Sequence, residues 1–339
     1  MTKETKTTEK AEKQTPKEDS PFRARARRWA YWLILLQLVG FALFFAVLIL
    51  GERSRLTMIA LYFPRQPFLA VAIAGALLAP FTRRRVRLLV AVQVILTLVV
   101  LFPVMGLSLG HARTSEHPIR LASYNIYFGK LSRPALLNEI AAMNVDIVLL
   151  QATYDSLGDM KERFPDRSTN RVDDFVIITR FKILKVEEPP ALADGEVPKF
   201  VGYVLETPDG PLRIYNVHPF SPRHALFENE ETKANIDHRE AQIEAAVWSA
   251  QNPGPPFIIV GDTNLPPGSA IARRHLGGLK EAFDEVGFGF GYTFPSKRPW
   301  MRIDRAFAGD DIRFLDARVG AKGASDHRPI FVDFEIVKR

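Results

Sequence analysis

The chain has 339 residues, enough for one large domain with added elements or for two ordinary domains, and it contains no cysteine. The missing thiols exclude disulfides, zinc–thiolate centres and thiol catalysis. A net charge of +7 at pH 7 would suit a nucleic-acid partner, but the charge is unevenly placed. Residues 1–28 hold nine Lys/Arg against five Asp/Glu, residues 29–110 seven against one, and residues 111–339 twenty-nine against thirty-two. The basic excess belongs to the N-terminal third and the remainder is mildly acidic, so composition gives no support to nucleic acid as substrate.

Residues 1–28 open with Lys, Glu and Thr and few apolar side chains, which predicts a disordered polar tail ending in Arg23, Arg25, Arg27 and Arg28. Residues 29–110 read as a transmembrane region of about three helices. Residues 29–50 form an uncharged run long enough to cross about 30 Å of hydrocarbon. The run is too long for a cleaved signal peptide, and Gly51-Glu52-Arg53 is a poor cleavage site, so it reads as a retained anchor. A second span over 64–82 requires Arg65 to snorkel to the interface. The third, 88–109, carries Pro103 as an expected kink. The Arg residues before the first span and at 83–85 and 87 both prefer the cytoplasm, and three spans satisfy both. That predicts an integral membrane protein whose C-terminal domain is extracytoplasmic, periplasmic or at the cell surface. If Phe68–Phe81 were only interfacial, two spans and a cytoplasmic domain would result.

From residue 111 to 339 the pattern changes to short apolar runs alternating with helical stretches: IRLASYNIYF, VDIVLLQ, DFVIITR, VGYVLET, LRIYNVH, PFIIVGD and PIFVDFEIV, with helices around 134–143 and 234–250. This predicts an α/β fold, a sandwich of strands and helices. Several strands end in polar residues that are costly to bury unpaired: Asn125, Asn216, His218, Asp262, Asn264, Asp304 and the pair Asp326-His327. Only oxygen and imidazole ligands are on offer. Carboxylate and amide oxygens suit Mg²⁺ or Mn²⁺, with Ca²⁺ a further option, and the His residues suit acid/base work or clamping of a phosphoryl oxygen. Taken singly, each has an ordinary structural reading as turn, cap or surface pair. Taken as an ordered set, they point to a site. His111, His117, His224, His238 and His275 lie outside that set. The stretch Phe288 to Trp300, with Lys297, Arg298 and Arg302 nearby, reads either as core or as a substrate-touching rim, suited equally to stacked bases and lipid headgroups.

In this order and spacing, LASYNI, DIVLLQ, VIITRF, YNVHP, the helix with Arg239 and Gln242, VGDTN, RID and SDHRP resemble the motifs of the endonuclease/exonuclease/phosphatase superfamily. The resemblance spans about Ile119 to Val337 and implies a four-layer α/β sandwich, two packed mixed sheets flanked by helices. It also implies metal-dependent hydrolysis of a phosphomonoester or phosphodiester. Asn125 and Asp326 would help hold the metal. Asp262 would orient or deprotonate the attacking water, and Asn264 would bind phosphate. His327, held by Asp304, would act as base or clamp, with His218 opposite. Asn216, Arg302 and Trp300 are expected to touch substrate. In-line attack on phosphorus needs a positioned water and positive charge around the equatorial oxygens, and this set supplies both.

One position departs. Where the family has Gln-Glu, with the Glu as principal carboxylate ligand of the metal, this chain has Gln151-Ala152. A methyl group cannot coordinate a metal. A deliberate replacement, a naturally non-catalytic relative, and substitution by Asp155 are the three explanations. The intact remainder of the set favours the first. The expected partners are the membrane and a phosphoester, either a lipid headgroup or nucleic acid; extracytoplasmic nuclease and non-catalytic phosphate receptor are the alternative functions.

Overall fold

A computed structural model describes residues 20–82, 86–189, 191, 192, 195, 199–227 and 231–337. Most of the expected polar tail, and Arg83 to Arg85, lie outside the described residues.

The N-terminal region forms helices α1 (Pro21–Leu50), α2 (Arg55–Tyr62), α3 (Gln66–Leu78) and α4 (Val86–Val99). Helix α1 starts eight residues before the expected 29, because Ser20 caps its first turn by accepting from the Arg23 amide. The Arg cluster is therefore helical. The segment expected as one helix over 64–82 is α3 followed by a 3₁₀ turn, Ala79–Thr82. Helix α2, which the sequence did not announce, meets that segment at a 74° bend. The third apolar run ends in a π turn, Val100–Val104, around Pro103, whose missing N–H disturbs the helical ladder. The helix thus stops before the expected 109. Pro21–Leu50 and Arg87–Val104 are each long and apolar enough to cross a membrane, and the bent pair makes a third if it counts as one span.

These helices share a small core of Phe41, Phe44, Ala72, Leu96, Val100 and Val104. Gln37 Nε2 donates to Val71 O and to Gln93 Oε1, both at 3.0 Å, and so ties α1, α3 and α4 together. Gly75 leaves the room for this, since a Cβ there would strike both glutamines. The outward faces are apolar, with Trp29, Trp32, Leu36, Leu43, Ile73, Leu77 and Ile95 all exposed.

The remainder of the chain begins with β1 (Ser108–Leu109) and β2 (Ile119–Asn125). Helix α5 (Arg133–Ala142) leads to β3 (Ile147–Gln151), then α6 (Met160–Arg163), β4 (Ser168–Val172), β5 (Phe175–Thr179), β6 (Lys182–Glu187), β7 (Phe200–Thr207) and β8 (Gly210–Val217). After α7 (Arg223–Phe227) and α8 (Thr232–Gln251) come β9 (Phe257–Asp262), α9 (Ala270–His275), β10 (Lys280–Glu281), α10 (Ala282–Val286) and β11 (Phe288–Gly289). The last strands are β12 (Asp304–Ala308), β13 (Ile312–Val319) and β14 (Ile330–Ile336). Two six-stranded sheets result, in the orders β10-β12-β9-β8-β7-β6 and β13-β14-β2-β3-β5-β4. Both are mixed: β2 and β3 pair in parallel, as do β8 and β9, while their other neighbours are antiparallel.

Alternating side chains explain the layering. Leu121, Leu149 and Ile177 from one sheet meet Tyr203, Ile214 and Val260 from the other in the central core. Behind the first sheet, Leu136 and Ile140 of α5 cover Tyr124, Val148 and Leu150. Behind the second, Ile243, Ala246 and Val247 of α8 cover Tyr215, Val217 and Ile259. The fold is the four-layer α/β sandwich expected from the sequence. Strands β2, β3, β8 and β9 end at Asn125, Gln151, Val217 and Asp262 on neighbouring registers. Their polar ends and the loops that follow therefore gather at one edge of the sandwich.

Candidate active site

Asp262 stands at the centre of that edge, almost fully buried. Its Oδ2 accepts a 2.9 Å bond from Asn125 Nδ2, and its Oδ1 accepts from the Asn264 amide at 3.0 Å. Nε2 of His218 and Nε2 of His327 each lie 3.7 Å from the same Oδ2, one from either side. Each imidazole is held from behind by a carboxylate. His327 Nδ1 lies 2.9 Å from Asp304 Oδ2, and His218 Nδ1 lies 3.2 Å from Asp174 Oδ2. The arrangement is two Asp–His pairs converging on one acid.

Local structure fixes these positions. The Asn264 backbone sits in the left-handed region at φ 51°, which Asn tolerates well, and its side chain donates to Pro219 O at 2.9 Å. Ser325, in the loop between β13 and β14, ties that loop to the end of β2: its hydroxyl donates to Asn125 O at 2.7 Å and accepts from the His327 amide at 3.2 Å. Phe294 packs on the His327 ring at 4.8 Å between centroids. Arg239, fully buried on α8, donates to Asn264 O at 3.0 Å, and Gln242 accepts from the Phe220 amide at 2.9 Å.

The electrostatics follow from burial and from three neighbouring acids. Burial by itself would lower the His327 pKa, but the Asp304, Asp262 and Asp326 carboxylates outweigh it and hold the imidazole up at about 9. His327 is therefore an imidazolium at neutral pH. Burial raises the pKa of Asp326, with the His327 charge opposing. Asp174 moves the other way: burial would raise it, but its bond to His218 and the charges of His218 and Lys199 lower it.

Of the residues expected at a metal, Asn125, Asp326 and the Ala152 position all line one cavity of about 1070 Å³, together with His218, Asp262, Asn264, Trp300 and His327. Asn125 Oδ1 already accepts from the Tyr127 amide at 3.0 Å. Ala152 is buried, with its backbone in the left-handed region at φ 53°. The donors fit a hard divalent cation in kind but are one carboxylate short in number. Asp262, Asp304 and His327 also bring ligand atoms within 4.8 Å of one another. Because Asp304 and His327 are bonded to each other, that trio reads as proton-handling machinery.

Two residues expected to touch substrate lie away from the cavity. Asn216 is fully buried behind the site, where it accepts from Gln151 Nε2 at 2.7 Å and donates to Leu150 O at 3.1 Å. It joins β8 to β3 across the sandwich. Arg302 is also buried, against Asp284 at 2.6 Å and Glu281 at 3.5 Å, and lies outside the cavity. Its neighbour Arg305 completes the cluster, with Nε donating to Glu281 at 3.0 Å. Burial would raise the Glu281 pKa, but the two guanidinium charges hold it down at about 2.

Sequence reasoning missed Asp174, whose only signal was the acid that opens DFVIITR. It also missed a wall of the cavity supplied by the N-terminal region: Ile59, Tyr62, Phe63 and Pro64. Arg65 does not snorkel. It is buried and donates to Pro267 O and Leu61 O at 3.0 Å and also to Val104 O. The Phe288 to Trp300 stretch divides its roles. Tyr292 donates to Met105 O at 2.9 Å, Phe290 packs on the N-terminal helices, and Trp300 faces the cavity.

Comparison with known proteins bears on this geometry. Residues 122–327 match the model of the Endonuclease/Exonuclease/phosphatase family. No curated protein matches the chain. Among solved structures, a humanized D. rerio TDP2 is 16% identical, with a TM-score of 0.51 over 64% of this chain and 99% of that one. The Bacteroides thetaiotaomicron mannosyl-6-phosphatase Bt3783 is 16% identical, with a TM-score of 0.52 over 64% of this chain and 100% of that one. The 3′ phosphatase NExo from Neisseria, bound to product DNA hairpin, is 16% identical, with a TM-score of 0.50 over 64% of this chain and 99% of that one. At these identities the likeness is one of fold.

Proposed function

The chain belongs to the Endonuclease/Exonuclease/phosphatase family, and from that premise we propose that it is a membrane-anchored phosphoesterase whose divalent-metal site is weakened at Ala152. Members of the family are hydrolases, phosphatases and nucleases among them, and are generally dependent on a divalent metal. The observation that carries the reading is the convergence of His218 and His327, each backed by a carboxylate, on Asp262.

That geometry suits in-line attack on phosphorus. Asp262 accepts the proton of a water held between the imidazoles. The His327 imidazolium, kept charged by Asp304, stabilises a phosphoryl oxygen, and His218 steadies another from the opposite side. Asn264 adds a neutral donor. Asn125 and Asp326 would hold Mg²⁺ or Mn²⁺, which polarises the phosphoryl oxygen when bound. With Ala152 in the place of a carboxylate, such a metal would be held loosely and turnover would be low. A phosphate receptor without catalysis is the second reading, favoured by the same missing ligand.

The positions of the helix ends support a membrane placement. Glu52 after α1, Arg65 before α3 and Val104 after α4 all meet the globular domain or one another. Arg23, Arg25, Arg27 and Arg28 begin α1, at the opposite end of that helix. If α1, α3 with its 3₁₀ turn, and α4 each cross the membrane, the preference of Arg for the cytoplasmic side puts the start of α1 inside and the catalytic domain outside. Hydrolysis of bis(4-nitrophenyl) phosphate by the Ala152→Glu protein in Mn²⁺ tests the catalytic reading. Absence of turnover on that diester and on 4-nitrophenyl phosphate would favour the receptor.

A further inference from the structure

Helix α2 and the turn after it are built into the catalytic cavity by a dense set of polar contacts. Tyr62 OH donates to Asn264 O at 2.6 Å, the carbonyl that Arg239 also reaches, and Trp300 Nε1 donates to Tyr62 O at 3.4 Å. Arg55 donates to Leu226 O at 2.7 Å. The Glu52 carboxylate accepts from the Ala270 amide at 2.8 Å, at the start of α9. These bonds fix the wall against the domain.

The surface so fixed is apolar where it faces the opening. Ile59 is 45% exposed, Phe63 51% and Phe227 77%, and all three line the same cavity as Asp262 and His327. Exposed side chains of this size cost free energy in water unless something covers them. Their place in the chain says what does. Helix α2 lies between two apolar segments, α1 and α3, so the mouth opens beside the face from which those segments leave the domain. Among the described residues at the cavity, Lys130 and Lys199 stand with the catalytic loops, and Arg223 stands on α7, one turn from Phe227. A nucleic-acid strand needs a series of cationic contacts along its backbone, whereas Ile59, Tyr62, Phe63 and Pro64 on the α2 side of the cavity are uncharged. A phosphoester carrying a hydrocarbon chain needs charge at one end of the cavity and apolar surface at the other.

Resting on the phosphoesterase reading, we infer that the substrate is an amphiphilic phosphoester of the membrane, whose phosphate sits at Asp262 and whose hydrocarbon runs along Ile59, Phe63 and Phe227 to the bilayer. The N-terminal helices then supply a subsite as well as an anchor.

Two measurements on the full chain in phosphatidylcholine nanodiscs test this. In the Ala152→Glu protein, kcat/KM is compared for dodecyl and ethyl 4-nitrophenyl phosphodiesters and for a single-stranded oligonucleotide. The dodecyl-to-ethyl ratio is expected to exceed tenfold and to fall at least threefold in Ile59→Asn and in Phe227→Asn. Partitioning into the disc is the same for all three proteins, so the change in ratio reports the wall. A ratio near one, a ratio unchanged in both variants, or preference for the oligonucleotide overturns the inference. The second measurement needs no turnover. Dodecyl phosphate bearing a diazirine at the chain end is expected to label residues 55–65 and 222–227 of the unaltered protein, with competition by dodecyl but not ethyl phosphate. Labelling elsewhere, or no competition, overturns the subsite. Labelling as expected with no hydrolysis of any ester leaves the subsite standing and removes the catalytic reading.

Discussion

Asn125 Nδ2 donates to Asp262 Oδ2 at 2.9 Å, joining two residues 137 positions apart that end strands of different sheets. The site therefore exists only when both sheets pack in register. Both imidazoles approach the same Asp262 oxygen, so each should matter in the same step.

In the Ala152→Glu background, His218→Ala and His327→Ala are each expected to cut turnover of a phosphodiester by at least about a hundredfold, the scale for losing an acid/base or charge-stabilising group. Asp174→Asn and Asp304→Asn should lower kcat with smaller change in KM, since these acids touch the imidazoles and not substrate. Thermal melts should show the variants folded. Full activity in either His variant removes that residue from the reaction.

Topology gives an independent test. Protease added to intact cells or spheroplasts is expected to digest the region after His111, because the Arg-rich helix ends otherwise cannot both remain inside. Protection of that region until lysis contradicts the three-span arrangement.

Much of this was legible in the sequence. GDTN, RID and SDHRP mark strand ends whose polar residues have one use when gathered; the alternation of strands and helices announced an α/β sandwich, and the family resemblance implied its four layers. Helix α2 was not legible: eight residues flanked by Arg55 and Arg65 look like a loop between spans, and only packing against α7 and Asn264 O gives them a place. Arg302 misled for a related reason. It lies two residues before Asp304, outside β12, and its guanidinium pairs with Asp284 and Glu281, partners that lie 18 and 21 positions upstream. Asp174 pairs with His218 across 44 residues, a separation that no local pattern encodes.

The buried acid–base clusters set two pH windows of stability. Glu281 is held at about 2, below its ordinary 4.5, so its stabilisation is complete above about 4.5 and is lost as pH falls towards 2. His327 is raised from 6.5 to about 9, so its contribution is full below about 6.5 and is lost as pH rises through about 9. Melting temperatures of the metal-free protein should fall in both windows. Glu281→Gln should flatten the acid side at a cost of about 3–5 kcal/mol for leaving Arg305 buried without its carboxylate, and His327→Gln should flatten the alkaline side. A wild-type-like acid limb in Glu281→Gln would remove that cluster from the account.

Position 152 decides the central claim. As it stands, Asp326 is the carboxylate and Asn125 the neutral oxygen available to a metal, whereas Mg²⁺ is ordinarily held by one or two carboxylates in near-octahedral geometry. A Glu at 152 adds the missing ligand. Without metal it also adds charge beside Asp262, Asp304 and Asp326, so metal-free stability should be equal or slightly lower. The direct measurement is Mn²⁺ affinity by calorimetry, paired with phosphodiester hydrolysis, for the chain and for Ala152→Glu. Tighter binding together with higher turnover in the variant is the expected result. Equal affinity and equal activity in the two proteins would contradict the assignment of position 152 to the metal and the reading of this chain as an impaired phosphoesterase.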